Sequence, residues 1–90
     1  MIVEWDDEKA IANRRKHGVS FGEAISALED PLSLTFRDPD HSLEETRFLT
    51  FGHGPSGRIL VVAHTDRADA VRLISARRAT RAERRLYEEG

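Results

Sequence analysis

Hydrophobic residues recur along the chain with two periods, one typical of helices and one typical of strands. The clearest helical stripe consists of four apolar residues spaced three and four apart: Phe21, Ala24, Ile25 and Leu28. Ser20 and Glu23 form a capping box ahead of this stripe, and the Asp30-Pro31 pair follows it as a stop signal. The pattern predicts an amphipathic helix over residues 20–30.

A strand and another helix are predicted before this segment. The strand candidate is the Ile-Val-Glu-Trp stretch at residues 2–5. Asp6 can cap the helix that follows, with Asp7 and Glu8 in its positive first turn. This helix is expected to run to about His17, because Gly18 comes next as a stop signal.

Four strands are predicted in the rest of the chain, the first from alternation of apolar and polar residues and the third as a largely buried central strand. Their ranges are 32–36, 46–51, 58–65 and 70–77, and a glycine-rich loop at 52–57 joins the second to the third. Thr80 and Glu83 form another capping box, which opens a C-terminal helix through Glu88. The predicted class is α+β, an antiparallel sheet with two N-terminal helices and one C-terminal helix, in one domain over residues 1–90.

Length and composition restrict the kinds of protein that this chain can be. Its 90 residues build one modest core. It has no cysteine, which excludes disulfides and thiolate metal sites. We expect a cytoplasmic protein without membrane contact, because no signal-peptide pattern opens the chain and the longest apolar stretch, residues 59–63, is far too short for a membrane span.

Charge is distributed unevenly along the chain. Residues 71–90 carry 6 arginines and 3 glutamates, and residues 1–70 carry 8 basic and 13 acidic residues, so the net charge of −2 divides into +3 and −5. A basic end on an acidic body suits a partner that carries phosphate. A solvated arginine-rich helix is the alternative explanation.

The arginine-rich C-terminal segment suggests chemistry on RNA. Cleavage by a 2′-hydroxyl needs a base for its proton, an acid for the leaving oxygen and cations for the charge that grows on the phosphoryl group. The candidates for a phosphate clamp are Arg72, Arg77 and Arg78. Glu83 or His17 would be the base, and Tyr87 or His17 the acid. Further RNA contacts would come from Arg78, Arg81, Arg84 and Arg85.

Each of these candidates also has a structural explanation. Glu83 belongs to a capping box, Tyr87 fits a core position, and the arginines fit a solvated surface. Strand parity adds a constraint on the clamp. Arg72 and Arg77 are separated so that their side chains point to opposite faces of a strand, unless a bulge or twist intervenes.

Other chemistries lack support in the sequence. The histidines show no i, i+4 pair and no His-Glu-x-x-His motif, so we expect no metal site. The glycine-rich loop lacks the Gly-Lys-Ser/Thr ending of a phosphate loop, and no serine lies in a nucleophile-elbow pattern. A DNA-reading helix-turn-helix is disfavoured, because the second helix would present Glu23, Ser26, Glu29 and Asp30.

Several segments together match the pattern of a known family. They are Trp5-Asp6-x-x-Lys9 with Asn13, Lys16-His17-Gly18-Val19-Ser20-Phe21 followed by Glu23-Ala24, Glu45-x-Arg47, and Arg72-x-Ile74-Ser75-Ala76-Arg77 with Glu83 and Tyr87. They span nearly the whole chain in order. With these residues the chain resembles the BrnT family of bacterial toxins.

This resemblance implies a RelE-like fold and an RNA-cleaving toxin of a type II toxin–antitoxin pair, which inhibits translation. It also implies a BrnA-like antitoxin with a ribbon-helix-helix region. Operator DNA would be contacted only through that antitoxin. The functional residues that the resemblance favours are Lys16, His17, Arg47, Arg72, Arg77, Glu83 and Tyr87.

Our leading hypothesis from the sequence is a metal-independent endoribonuclease that needs no cofactor. The alternative comes from another functional class. It is a non-enzymatic module that uses the same basic C-terminal surface only to bind a nucleic acid or an acidic protein. Binding without turnover, and the salt dependence of that binding, distinguish the two.

Overall fold

A computed structural model describes residues 1–41 and 45–90 of the chain. In chain order its elements are β1 (Ile2–Glu4), α1 (Asp7–His17), α2 (Phe21–Glu29), β2 (Leu34–Arg37), a 3-10 turn (Pro39–His41), β3 (Arg47–His53), β4 (Ile59–Arg67), β5 (Ala70–Arg78) and α3 (Arg81–Glu89). The α+β class is confirmed. None of the described helices is long and apolar enough to cross a membrane.

The strands form one mixed sheet in the order β1-β5-β4-β3-β2. β2 to β5 form an antiparallel meander, but β1 pairs with β5 in parallel, with Val3 opposite Val71. The prediction of a purely antiparallel sheet was therefore wrong. Parallel strands need a long connection between them. The segment between β1 and β5, which begins with α1 and α2, is long enough for β5 to lie beside β1 in the same direction.

Local capping signals set the boundaries of the helices. The capping boxes of Ser20 with Glu23 and of Thr80 with Glu83 both have their two reciprocal hydrogen bonds. α1 ends at Gly18, whose φ of 69° lies in the left-handed region that favours glycine. These ends fix where the side chains next to them, including Glu83, meet the sheet.

The two faces of the sheet are covered unequally. α1 and α2 pack on one face, here called the helix-pair face, through a core of Val19, Phe21, Ala24, Ala27, Leu60, Val62, Leu73 and Ala76. α3 packs on the opposite face, here called the α3 face, where Tyr87 joins Phe51, Ile59 and Val61. These contacts lie where β4 begins and β3 ends. In the described part of the chain, no helix covers the α3 face at the other end of β4.

A buried amide attaches α1 to β5. Asn13 Nδ2 donates to the carbonyl oxygens of Val19 at 2.9 Å and Ala76 at 2.8 Å, and its Oδ1 accepts from the Ala76 amide at 3.0 Å. β1 pairs only with residues 70–72 of β5. The Asn13 side chain therefore takes the place that a neighbouring strand would have beside Ala76.

Candidate active site

A β-bulge in β5 determines which side chains share the α3 face. Two consecutive residues of β4 pair with Ser75 and Leu73, so Ile74 between them has no partner on β4. One extra residue reverses the alternation of side chains along a strand. Arg72, Ser75 and Arg77 therefore all lie on the α3 face. Without the bulge, Arg72 and Arg77 would point to opposite faces.

A row of three residues, here called the arginine row, crosses the uncovered end of the α3 face. Thr65 of β4 lies opposite Arg47 of β3 on one side and Arg72 of β5 on the other. Neighbouring strands are close enough that the two arginine Cα atoms are about 10 Å apart. The Arg72 guanidinium lies 3.7 Å from the Glu4 carboxylate, and the Arg72 side chain as a whole is 31% exposed. This spacing suits two cations that hold one phosphate between them.

The Thr65 hydroxyl at the centre of the arginine row is buried. Thr65 is 2% exposed, and its Oγ1 has no hydrogen-bond partner among the residues that the structure describes. Such a group costs free energy, and few exist in folded proteins. Nothing in the sequence marks Thr65, because a threonine within a strand fits an ordinary β-branched packing residue. Only the pairing register identifies it.

Lys16 and His17, at the end of α1, line a pocket that borders β5. The pocket has a volume of about 270 Å³ and also contacts Ile74 and Ser75. Lys16 is exposed and His17 is half-buried. The pocket thus lies between α1 and the edge of β5 that β1 leaves unpaired, next to the strand positions between Arg72 and Arg77.

Arg77 and Glu83 form a bidentate ion pair, with nitrogen–oxygen distances of 2.7 and 2.9 Å. Glu83 also accepts a hydrogen bond from the Thr80 amide at 2.8 Å. The hydrogen bonds from Arg77 lower the pKa of Glu83 to about 2, although burial opposes this shift. A carboxylate with so low a pKa is a weak base. The geometry suits a carboxylate that positions Arg77.

Tyr87 lies on the covered end of the α3 face. Its hydroxyl donates a hydrogen bond to Asp30 and lies 2.8 Å from His53 Nδ1. Burial and the hydrogen bond to Asp30 raise the pKa of Tyr87 to about 12. Tyr87 packs on Val61, which precedes Thr65 on β4 by a distance of about 13 Å. The structure thus does not bring Tyr87 to the arginine row.

The arginines predicted to bind RNA divide between two places. Two of them line a cavity of about 560 Å³, here called the hairpin cavity, whose four basic side chains are His53, Arg58, Arg78 and Arg84. Arg81 and Arg85 are exposed on α3 outside this cavity. His53 and Arg58 flank the glycine-rich loop, which sequence analysis treated only as a turn. They share a cavity with Arg78 and Arg84 only because of the way that α3 packs on the sheet.

A second buried polar cluster lies on the helix-pair face. His64 Nε2 is 2.7 Å from the Thr50 hydroxyl, and His64 Nδ1 is 3.0 Å from Asp66. The Thr50 hydroxyl is also 2.8 Å from that of Thr35. These groups satisfy one another on the face opposite Arg72. Within residues 1–41 and 45–90, no group of three or more histidine or acidic side chains is placed to hold a metal ion.

Comparison with known proteins assigns the chain to a family. A family model described as the ribonuclease toxin BrnT of type II toxin–antitoxin systems matches residues 5–83. The crystal structure of the ribonuclease toxin BrnT from Brucella abortus has a similar fold, with a TM-score of 0.66 and 24% sequence identity over 90% of this chain and 99% of that chain. No curated protein sequence matches. Since the family model covers most of its length, this chain belongs to the BrnT family of ribonuclease toxins.

Proposed function

We propose that the chain is a metal-independent endoribonuclease with a RelE-like fold, which cleaves RNA at the uncovered end of the α3 face. The arginine row carries this proposal, because Arg47 and Arg72 flank a buried hydroxyl that has no partner in the described residues. Family membership supports RNA as the substrate.

The proposed reaction is an internal transfer at one phosphodiester. The 2′-oxygen attacks the adjacent phosphorus while a base takes its proton, and the bond from phosphorus to the 5′-oxygen breaks while an acid protonates that oxygen. The products are a 2′,3′-cyclic phosphate and a free 5′-hydroxyl. Arg47 and Arg72 would stabilise the charge on the phosphoryl oxygens. The Thr65 hydroxyl would donate a hydrogen bond to them once the side chains that bury it move aside on RNA binding.

His17 is the proposed proton carrier of this site. Imidazole is the side chain whose ordinary titration lies closest to neutral pH. His17 borders the pocket beside Ser75, and Lys16 adds a positive charge there. Arg77, next to Ser75 on the same face, would supply a further cation. His17 would act either as the base that takes the 2′-hydroxyl proton or as the acid that protonates the 5′-oxygen.

Glu83 and Tyr87 are proposed as positioning residues. Glu83 fixes the Arg77 guanidinium through two hydrogen bonds. Tyr87 holds His53 and Asp30 at the covered end of the face. Their effect on RNA cleavage would therefore pass through the groups that they hold.

The family also supports a cellular role for this activity. A type II toxin has a protein antitoxin, and we infer that a BrnA-like ribbon-helix-helix protein covers the arginine row. Operator DNA would be contacted only through that antitoxin. In the cytoplasm, the free toxin would inhibit translation by degrading messages.

Cleavage of RNA by the purified, antitoxin-free protein in excess EDTA tests the proposal. We expect fragments that end in a 2′,3′-cyclic phosphate, and a loss of about 10²–10³-fold in rate for Arg72→Ala. Arg37→Ala is the matched control, because Arg37 is an exposed strand arginine on the helix-pair face.

Three results would contradict this proposal. Dependence of cleavage on a metal would refute the mechanism, and full activity of Arg72→Ala would refute the site. Binding of RNA without cleavage, both for naked RNA and on translating ribosomes, would favour the non-enzymatic binding module.

A further inference from the structure

We propose that the hairpin cavity is a second RNA subsite, which holds one nucleotide of the substrate away from the bond that is cleaved. The cavity has a volume of about 560 Å³ and lies between the β3–β4 hairpin, the end of β5 and α3. This inference rests on the proposed function, because it extends the path of the same RNA strand.

The charges of the hairpin cavity fit a phosphate group. Three guanidinium groups and one carboxylate, Glu88, line it. Arg58 is bound to Glu23 at 3.1 Å, whereas Arg78 and Arg84 form no ion pair with any residue that the structure describes. The planar fork of arginine binds phosphate oxygens in pairs. The cavity therefore presents two guanidinium groups that are available for an anion.

His53 adds a surface that suits a base. Its side chain is 47% exposed, but its Nδ1 lies 2.8 Å from the Tyr87 hydroxyl and its ring packs edge-on against Tyr87 with centroids 5.0 Å apart. Unpaired bases of RNA stack on aromatic rings, including imidazole. A ring that is already held in place loses little freedom when a base stacks on it. Phosphate and base together define a nucleotide as the ligand.

β5 connects the hairpin cavity with the arginine row. Arg78, which lines the cavity, is the last residue of β5, and its pairing with Leu60 puts its side chain on the helix-pair side of the strand. Arg72 lies on the α3 face about 20 Å earlier along the strand, so an RNA that contacts both must pass round the end of the sheet. Arg77 lies between them. An RNA strand that contacts both places must span several nucleotides. The cavity would therefore contribute to binding only for substrates longer than a dinucleotide.

An acidic segment of the antitoxin is the rival occupant of the cavity. It would use the two guanidinium groups but would leave the exposed imidazole of His53 without a stacking partner.

Arg84→Ala tests the subsite when it is measured with RNAs of two lengths. We expect the ratio of kcat/KM for a longer single-stranded RNA to that for a dinucleotide to fall about tenfold. Binding of a longer 2′-O-methyl RNA, which this route cannot cleave, should also weaken about tenfold, and the slope of log affinity against log salt should fall by about 0.7. Arg78→Ala should behave in the same way.

Two further variants sharpen the test. Glu88→Gln removes the carboxylate of the cavity and should tighten binding of the longer RNA by about threefold, because repulsion of phosphate disappears. Arg37→Ala, on the helix-pair face, is the control that removes one positive charge elsewhere.

Certain outcomes would overturn the subsite. Unchanged affinity of Arg84→Ala for the longer 2′-O-methyl RNA would do so. An equal loss of kcat/KM for both RNA lengths would do so as well. Loss of antitoxin affinity with unchanged RNA affinity would assign the cavity to the antitoxin instead. Failure of the proposed function can be told apart from failure of the subsite. Absence of cleavage, or full cleavage by Arg72→Ala, would refute the proposed function. Binding of 2′-O-methyl RNA would still measure the cavity independently.

Discussion

Thr65 and Arg72 lie directly opposite each other on β4 and β5, and the buried hydroxyl of Thr65 has no hydrogen-bond partner among the described residues. Thr65→Val therefore breaks no described hydrogen bond. We expect the free energy of unfolding to stay unchanged or to rise by up to about 1 kcal/mol. If the hydroxyl donates to the phosphoryl group, the single-turnover cleavage rate should fall by about 10²-fold.

Thr50→Val is the matched control for this variant. Thr50 is equally buried, but its hydroxyl lies within hydrogen-bond distance of the Thr35 hydroxyl and of the His64 ring, on the helix-pair face. Its loss should lower the free energy of unfolding by about 1–3 kcal/mol, with little change in cleavage rate per folded molecule. Full cleavage activity of Thr65→Val would remove Thr65 from the site.

The Arg77–Glu83 ion pair predicts a specific dependence of stability on acid pH. The pKa of Glu83 is about 2 in the folded protein and 4.5 ordinarily. The contribution of ionised Glu83 to the free energy of unfolding is therefore fully present above pH 4.5 and is lost as the pH falls toward 2. Glu83→Gln should lower stability at neutral pH by about 1–2 kcal/mol and flatten the decline on the acid side. Denaturant titrations at several pH values measure both effects. If the wild type and Glu83→Gln decline equally, the pair does not form in solution.

Tyr87→Phe separates a positioning role from a role as the catalytic acid. Removal of the hydroxyl takes away one donor to the Asp30 carboxylate, which keeps hydrogen bonds from the Leu32 and His53 amides, so we expect stability to fall by about 0.5–1.5 kcal/mol. Cleavage of a dinucleotide per folded molecule should fall less than tenfold, because the phenol is distant from the arginine row. A loss of 10²-fold or more, the size typical of proton-transfer groups, would make Tyr87 the acid.

His17→Gln tests which proton His17 transfers. We expect the rate on ordinary RNA to fall by about 10²–10⁴-fold. A substrate with a nitrophenol leaving group needs no acid, so restoration of its cleavage in the variant would assign His17 as the acid, and continued loss would assign it as the base. Full activity on both substrates would exclude His17 from proton transfer.

Local sequence signals were sufficient for the helices, but not for the pairing of distant strands. The capping boxes at Ser20 and Thr80 and the stop at Gly18 depend on neighbouring residues, so their positions are readable from the sequence. The parallel pairing of β1 with β5 and the bulge at Ile74 depend on contacts far apart in the chain.

The same distinction holds for the candidate site. Residue type indicates Arg72 as a phosphate ligand, because guanidinium chemistry does not depend on context. The contribution of Thr65 depends on its register between two other strands, and that of His53 depends on Tyr87 of α3. Residue type thus points to the arginines near the C-terminus, whereas the proposed roles of Thr65, His53 and Arg58 come from the packing around them.

The three hydrogen bonds of Asn13 have a consequence for catalysis. Two of them, both to Ala76, tie the helix that carries Lys16 and His17 directly to the backbone of the strand that carries Arg72 and Arg77. The distance between His17, the proposed proton carrier, and the proposed arginine cations is thus restricted by short hydrogen bonds before any RNA binds. A site preorganised in this way needs little rearrangement as charge develops on the phosphate, and Asn13 would influence the rate from a position that never contacts the substrate.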